Sequence, residues 1–191
     1  NNSNIACADI NNPVRNLKLM KQKPTVVWGS ITDKELVGKT IREQDVVIHL
    51  AAYVNVDKSI EDPRQVVEVN INGTVNVLEE IRKNRNRLIH GSSCEVYGAP
   101  GDNKPIDEFK ELKPHSPYAA SKVAGDRLCF AYYKTYGLDI TIVRPFNVYG
   151  ERQKENRHGA LIPILVKKGL AKQNLEVYGD GRQTRDYMHV S

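Results

Sequence analysis

The chain has 191 residues, of which 40% are apolar and 27% charged, and it carries a formal net charge of +5. That length fits one domain and part of a second. The composition excludes a disordered or fibrous protein, and no apolar run approaches the roughly 20 residues of a membrane span. The mild positive balance suits anionic small molecules such as dinucleotides and does not call for nucleic acid. Cys7, Cys94 and Cys129 lie far apart, with neither a disulfide framework nor zinc spacing. No metal is expected. No leader pattern opens the chain, and a reducing cytoplasm is the expected location.

Strand-like and helix-like segments alternate along the sequence. Residues 5–8 form a short apolar run ending at Asp9, and residues 25–28 form another, closed by Gly29. Residues 45–50 are a third, followed by the small residues Ala51 and Ala52. A helix is predicted over 62–84, with Asp62 as N-cap and Pro63 at the first helical position. Its apolar stripe is Val67, Ile71, Thr74, Leu78 and Ile81. The basic cluster Arg82, Lys83, Arg85 and Arg87 falls at its end, where cations complement the helix dipole. Residues 87–90 lead as a strand into Gly91-Ser92-Ser93. Ser116 and Pro117 open a helix that Gly137 can terminate, and residues 140–143 are the next strand. A last helix is predicted over 160–172, with Pro163 tolerated in its first turn.

The strand-like runs are apolar at successive positions, the pattern of strands buried on both faces in a parallel sheet. Strands separated by helices give an α/β fold with a doubly wound parallel sheet. From Asn147 the composition shifts toward glycine and polar residues, including Gly150, Gly159, Gly179 and Gly181. Two regions are therefore expected: 1–146, and 147–191 as the start of a smaller one.

Tyr118 and Lys122 are four residues apart on the second long helix, hence on one face. A phenol titrates near pH 10; a fixed ammonium close by would favour the phenolate and make it a usable base. Some twenty-five residues earlier, Ser92-Ser93-Cys94-Glu95-Val96-Tyr97-Gly98 follows a strand. Loops at the carboxyl ends of parallel strands are where such folds place ligands. A hydroxyl there can hold the oxygen that the tyrosine deprotonates. Asp9, at the end of the first strand, suits hydrogen bonds from an adenosine ribose and disfavours a 2′-phosphate.

Ser93, Tyr118 and Lys122 resemble the Ser/Thr-Tyr-Lys triad of the extended short-chain dehydrogenase/reductase family, and more narrowly its nucleotide-sugar epimerases and dehydratases. Residues 45–52, Asp62-Pro63 with Asn70 and Gly73-Thr74, residues 144–150 and residues 179–187 match further family segments in order. The resemblance implies a Rossmann-like NAD-binding domain over 1–146 and the beginning of a substrate-binding domain over 147–191. It also implies a glycine-rich GxxGxxG turn ahead of Asp9. On the usual spacing roughly thirty residues, one strand and one helix, would precede this chain, and the substrate domain would continue past Ser191.

The implied cofactor is NAD, contacted by Asp9, Ser30, Ile31, Leu50, Ala51, Ala52, Tyr53, Asn70, Ser92, Tyr118, Lys122 and Pro145. Ser30 stands where the family usually has Asp. The implied substrate is a nucleotide-diphosphate sugar, contacted by Ser93, Cys94, Glu95, Tyr118, Asn147, Arg152 and Arg185. A homodimer through the two long helices is implied as well. The shared first step is proton removal from a sugar hydroxyl by Tyr118, with Ser93 holding the oxygen and Lys122 lowering the phenol's pKa and gripping the nicotinamide ribose. Glu95 is a further candidate catalytic acid. Cys94 stands where 4,6-dehydratases carry Asp, and a thiol is a poor proton donor to a leaving hydroxyl. An epimerase acting through a transient 4-keto sugar therefore ranks first. A 4,6-dehydratase or a uronate decarboxylase ranks second, and a non-catalytic NAD-binding module is the alternative of another class.

Overall fold

The computed structural model describes residues 4–7, 21, 24–99, 105–153, 160–177 and 179–191. They cluster into two compact units, Asn1–Arg144 and Pro145–Ser191.

In the first unit, β1 (Asn4–Cys7) pairs in parallel with β2 (Thr25–Trp28). A second parallel ladder places β4 (Arg87–Gly91) between β3 (Val46–His49) and β5 (Ile140–Val143). Its register sets Val47 opposite Leu88, and Leu88 opposite Ile140. Parallel neighbours need crossovers. Between β3 and β4 run α2 (Val56–Glu61), α3 (Pro63–Val66) and α4 (Gly73–Asn84); α5 (Pro117–Tyr136) joins β4 to β5. Helix α1 (Lys34–Ile41) lies between β2 and β3 in sequence, its first turn capped by Asp33 accepting from the Leu36 N–H at 3.0 Å. Neither α1 nor α2 was signalled by the periodicity, because eight and six residues are too few to show it.

The core lies between one face of the second ladder and helices α1, α4 and α5. It is built from Val37, Ile41, Val77, Leu78, Ile81, Leu88 and Cys129, with Val47, Ile140 and Ile142 packed against it. Gly73 lets α4 approach Ile31, whose side chain would lie 2.6 Å from a β-carbon at that position. The other face does not fit the expectation of strands buried on both sides: Val46 is 47% exposed and Ile48 62%, with Val143 exposed beside them. The helices gather on the Val47–Leu88–Ile140 face, so these two strands alternate in burial although their sequences do not alternate in polarity.

The helix expected over 62–84 is interrupted. Asp62 caps it, accepting from the Gln65 N–H at 3.1 Å, and Pro63 opens it. Residues Val67–Asn72 then form a π-helical turn. Such a turn spaces its hydrogen bonds five residues apart, which rotates the stripe away from 3.6-residue periodicity. Val66 is fully buried and Val67 is exposed, while Thr74, Leu78 and Ile81 regain the core. The basic cluster at the end of α4 is structural. Arg82 and Lys83 pair with Glu79 and Glu80, and the Arg85 guanidinium donates to the carbonyls of Tyr136 and Gly137 at the end of α5.

Helix α5 has the boundaries its sequence announces. The Ser116 hydroxyl accepts from the Ala119 N–H at 3.0 Å, Pro117 opens the helix, and Gly137 ends it in the left-handed region at φ 59°. In the second unit, β6 (Asn147–Tyr149) pairs in parallel with β7 (Tyr187–His189), two three-residue strands the sequence did not signal. Helix α6 (Leu161–Leu170) falls inside the predicted 160–172.

Candidate active site

Strand β4 ends at Gly91, and the Ser92 N–H continues its ladder by donating to the Val143 carbonyl at 2.8 Å. Ser93 then leaves the sheet in extended conformation and caps a 3-10 turn, Cys94–Tyr97, accepting from the Glu95 N–H at 3.2 Å. The turn closes at Gly98, where φ is +69° and a β-carbon would sit 2.0 Å from the Lys113 carbonyl oxygen. Only glycine fits there.

Tyr118, Lys122 and Asp126 follow at four-residue intervals on the face of α5 turned toward this turn. Tyr118 is 9% exposed and Lys122 6%. The Ser59 hydroxyl accepts from the Tyr118 N–H at 3.1 Å, which ties the start of α5 to α2. The Ser93 hydroxyl lies close enough to the Tyr118 phenol to lower its pKa. Ser93, Tyr118 and the Glu95 turn are thus brought together at the carboxyl end of β4.

The electrostatics differ from the sequence expectation. Burial raises the Tyr118 pKa above the ordinary phenol value; the Ser93 hydroxyl opposes this, and the nearby Glu95 and Cys94 add to it. The Lys122 ammonium donates instead to the Gly91 carbonyl. Its own pKa is lowered to about 8, first by desolvation, with Cys129 and Asp126 acting in the opposite direction. The i,i+4 spacing puts both residues on one face, but the lysine side chain reaches across to β4 rather than along the helix to the phenol.

Several expected cofactor contacts have internal partners. The Asn70 amide accepts from the Tyr53 N–H at 2.6 Å and donates to the Tyr53 carbonyl and the Ser121 hydroxyl. It clamps the loop after β3 to α5. Ser30 bonds the hydroxyl and N–H of Thr32, holding its own turn. The Ile31 side chain is in the core, leaving only its backbone for a cofactor. Leu50 is exposed, and Ala51, Ala52 and Tyr53 are half-buried beyond the end of β3. The Ser92 hydroxyl is buried without a hydrogen-bond partner among the described residues. Small residues after β3, an orphaned hydroxyl, and a phenol and ammonium at the strand ends fit the nicotinamide half of a dinucleotide. Asp9 lies outside the described residues.

In the second unit, Pro145 and Asn147 are half-buried, and the Asn147 amide donates to the Asp186 carbonyl at 2.9 Å. Arg152 is exposed at φ 67° beside Glu151 and lines a cavity of about 620 Å³ with Lys167 and His189. Arg185 is exposed and donates to the neighbouring Thr184 carbonyl.

Two buried polar groups escaped the sequence reading. His49 and His90 stack obliquely at 5.3 Å between ring centroids. His49 is held by Thr74 at 3.0 Å, whereas neither ring nitrogen of His90 has a partner among the described residues. Burial lowers their pKa values to about 3 and about 4. The other group is the ion pair of Asp126 with Arg144, at 2.7 Å. The available signals were histidines inside apolar strands and an acid one turn beyond Lys122. Among the described residues no three His, Cys, Asp or Glu side chains could hold a metal, and no helix is long and apolar enough to cross a membrane.

The family model for the NAD dependent epimerase/dehydratase family matches residues 2–191. Over 177 residues the chain is 38% identical to a dTDP-glucose 4,6-dehydratase of Xanthomonas campestris pv. campestris, covering 86% of this chain and 50% of that protein. It is 37% identical over 166 residues to a UDP-N-acetyl-alpha-D-glucosaminuronate decarboxylase of Bacillus cytotoxicus, covering 85% of this chain and 51% of the other. The crystal structure of a UDP-glucose 4-epimerase from Thermotoga maritima with UDP-glucose superposes with a TM-score of 0.91 at 26% identity, over 99% of this chain and 62% of that one. The chain thus spans about half the length of these curated relatives.

Proposed function

Because the chain belongs to the NAD-dependent epimerase/dehydratase family, we propose that the complete protein is a nucleotide-sugar epimerase acting through a transient 4-keto sugar. The observation that carries this reading is the buried Tyr118 phenol beside the Ser93 turn at the carboxyl end of β4, close enough for Ser93 to act on its pKa. On the forward step Tyr118 takes the proton from the C4 hydroxyl while Ser93 holds the oxygen. Bound NAD supplies the acceptor, and on return the donor, of the C4 hydride. Lys122, anchored on the Gly91 carbonyl, retains two further donors for the nicotinamide-ribose hydroxyls. The raised pKa keeps the phenol protonated, so that it holds the proton to be returned, and Ser93, which opposes the shift, favours the phenolate that acts as base.

Residues 147–191 form the start of the substrate-binding region. Arg185 and Arg152, both exposed, offer guanidinium forks to diphosphate oxygens, and Asn147 is a further candidate contact. Phe130, Tyr133 and Tyr136 give α5 an exposed aromatic face suited to a homodimer contact. The cytoplasm is the proposed location.

The second reading is a 4,6-dehydratase or uronate decarboxylase. Glu95 favours it, lying near enough to Tyr118 to raise the phenol's pKa. Incubation of the complete protein with UDP-, dTDP- and GDP-sugars, with products read by NMR, decides among these. Inversion at C4 supports the epimerase; a stable 4-keto-6-deoxy sugar or release of CO2 replaces it with the second reading.

A further inference from the structure

Asp126 is fully buried, one helical turn beyond Lys122. Its two oxygens receive the Arg144 guanidinium as a fork, Nε to Oδ2 at 2.7 Å and Nη2 to Oδ1 at 3.0 Å. Arg127 adds bonds to Oδ1. The remaining Arg144 nitrogen, Nη1, donates to the Tyr97 hydroxyl at 2.9 Å and to the Glu108 carbonyl at 3.1 Å. The guanidinium also lies 5.2 Å from the centroid of the Tyr97 ring. Tyr97 is the last residue of the turn that begins after Ser93. One guanidinium therefore joins the end of β5, helix α5, the 107–110 loop and the turn bearing Ser93 and Glu95.

A buried charge pair is costly to form and weak evidence for stability as such. Its geometric value is different: a bidentate fork fixes orientation as well as distance. Here it fixes the distance between the Ser93 turn and the Tyr118 helix. We propose that Asp126, Arg144 and Tyr97 are positioning residues that hold Ser93 in hydrogen-bonding register with Tyr118. This inference rests on the reading of Ser93 and Tyr118 as the reacting pair. Tyr97→Phe removes only the bond from Arg144 and keeps the ring in place, so the fold is preserved; Arg144→Lys keeps the charge and loses the fork.

The test is a double-mutant cycle on the complete, NAD-loaded protein. Ser93→Ala is expected to lower kcat about a hundredfold, and Tyr97→Phe on the order of tenfold with KM little changed. In the Ser93→Ala background Tyr97→Phe should change kcat less than about twofold, because the residue acts through Ser93. Independently of turnover, ultraviolet titration of the phenol, taken as the difference from Tyr118→Phe, should show its apparent pKa rising in Tyr97→Phe and in Arg144→Lys as the Ser93 bond loosens. Ser93, Glu95 and Cys94 act on that phenol and all belong to the clamped turn; Ser93 lowers its pKa while Glu95 and Cys94 raise it, so a rise marks loss of the Ser93 contact. If Ser93→Ala leaves kcat intact, the reading of the site falls and the inference with it. If Ser93→Ala is damaging but Tyr97→Phe costs the same with and without Ser93, or leaves the phenol titration unmoved, the inference alone is overturned.

Discussion

Around Tyr118, Lys122 and Asp126 are buried, and each has a partner supplied by a different element. In residues 145–191 the arrangement is the reverse. No residue of α6 is buried, β7 is exposed at every position, and Arg152 and Arg185 extend into solvent. A side chain held by its own fold has its geometry set before a ligand arrives, so its loss should appear in the chemical step. A side chain in solvent contributes when it meets an anion, so its loss should appear in binding.

Short of removing the phenol itself, the largest expected effect is at Lys122. Lys122→Met should lower kcat on the order of a thousandfold while the protein stays folded, measured by single-turnover kinetics and circular dichroism. Next is the core beneath the site: Leu78→Ala should cost about 3–4 kcal/mol in urea unfolding. Leu170→Ala, on exposed α6, should stay within about 0.5 kcal/mol. Equal costs would erase the contrast between the two units.

The buried histidines sharpen it through pH. His49 and His90 have folded pKa values lowered to about 3 and about 4, against 6.5 for the free group. Below pH 6.5 the unfolded chain binds protons that the folded chain refuses. Stability should therefore be complete above pH 6.5 and fall on acidification, with a slope approaching about 1.4 kcal/mol per pH unit for each histidine. His90→Phe should flatten that slope in denaturation series run from neutral to acid pH. The smallest effect is at Arg185: Arg185→Ala should raise KM about tenfold for a nucleotide-diphosphate sugar and leave kcat within about twofold.

Features set by neighbours in sequence were legible. Ser116, Pro117 and Gly137 bound α5 because a cap, a fixed φ and a left-handed residue act locally. The strands 25–28 and 140–143 were legible as apolar runs, and Ser93, Tyr118 and Lys122 as types at a spacing. Direction and partnership were not. Lys122 turns to Gly91, thirty-one residues away, rather than to the phenol. The π-helical turn accompanies an inward Asn70 that clamps Tyr53 across seventeen residues. The Asp126–Arg144 pair joins a helix to the end of the next strand. Open exposure of Val46 and Ile48 was equally invisible, since an apolar residue is read the same way on either face of a sheet.

The most direct measurement compares the complete protein with its Tyr118→Phe variant, both loaded with NAD, mixed with a nucleotide sugar and followed by reduced-nicotinamide absorbance together with NMR of the product. The expected result is a transient reduced cofactor and an inverted C4 for the parent protein. The variant should keep its bound NAD and give neither signal. Turnover that persists in Tyr118→Phe at an unchanged rate would contradict the role assigned to the buried phenol.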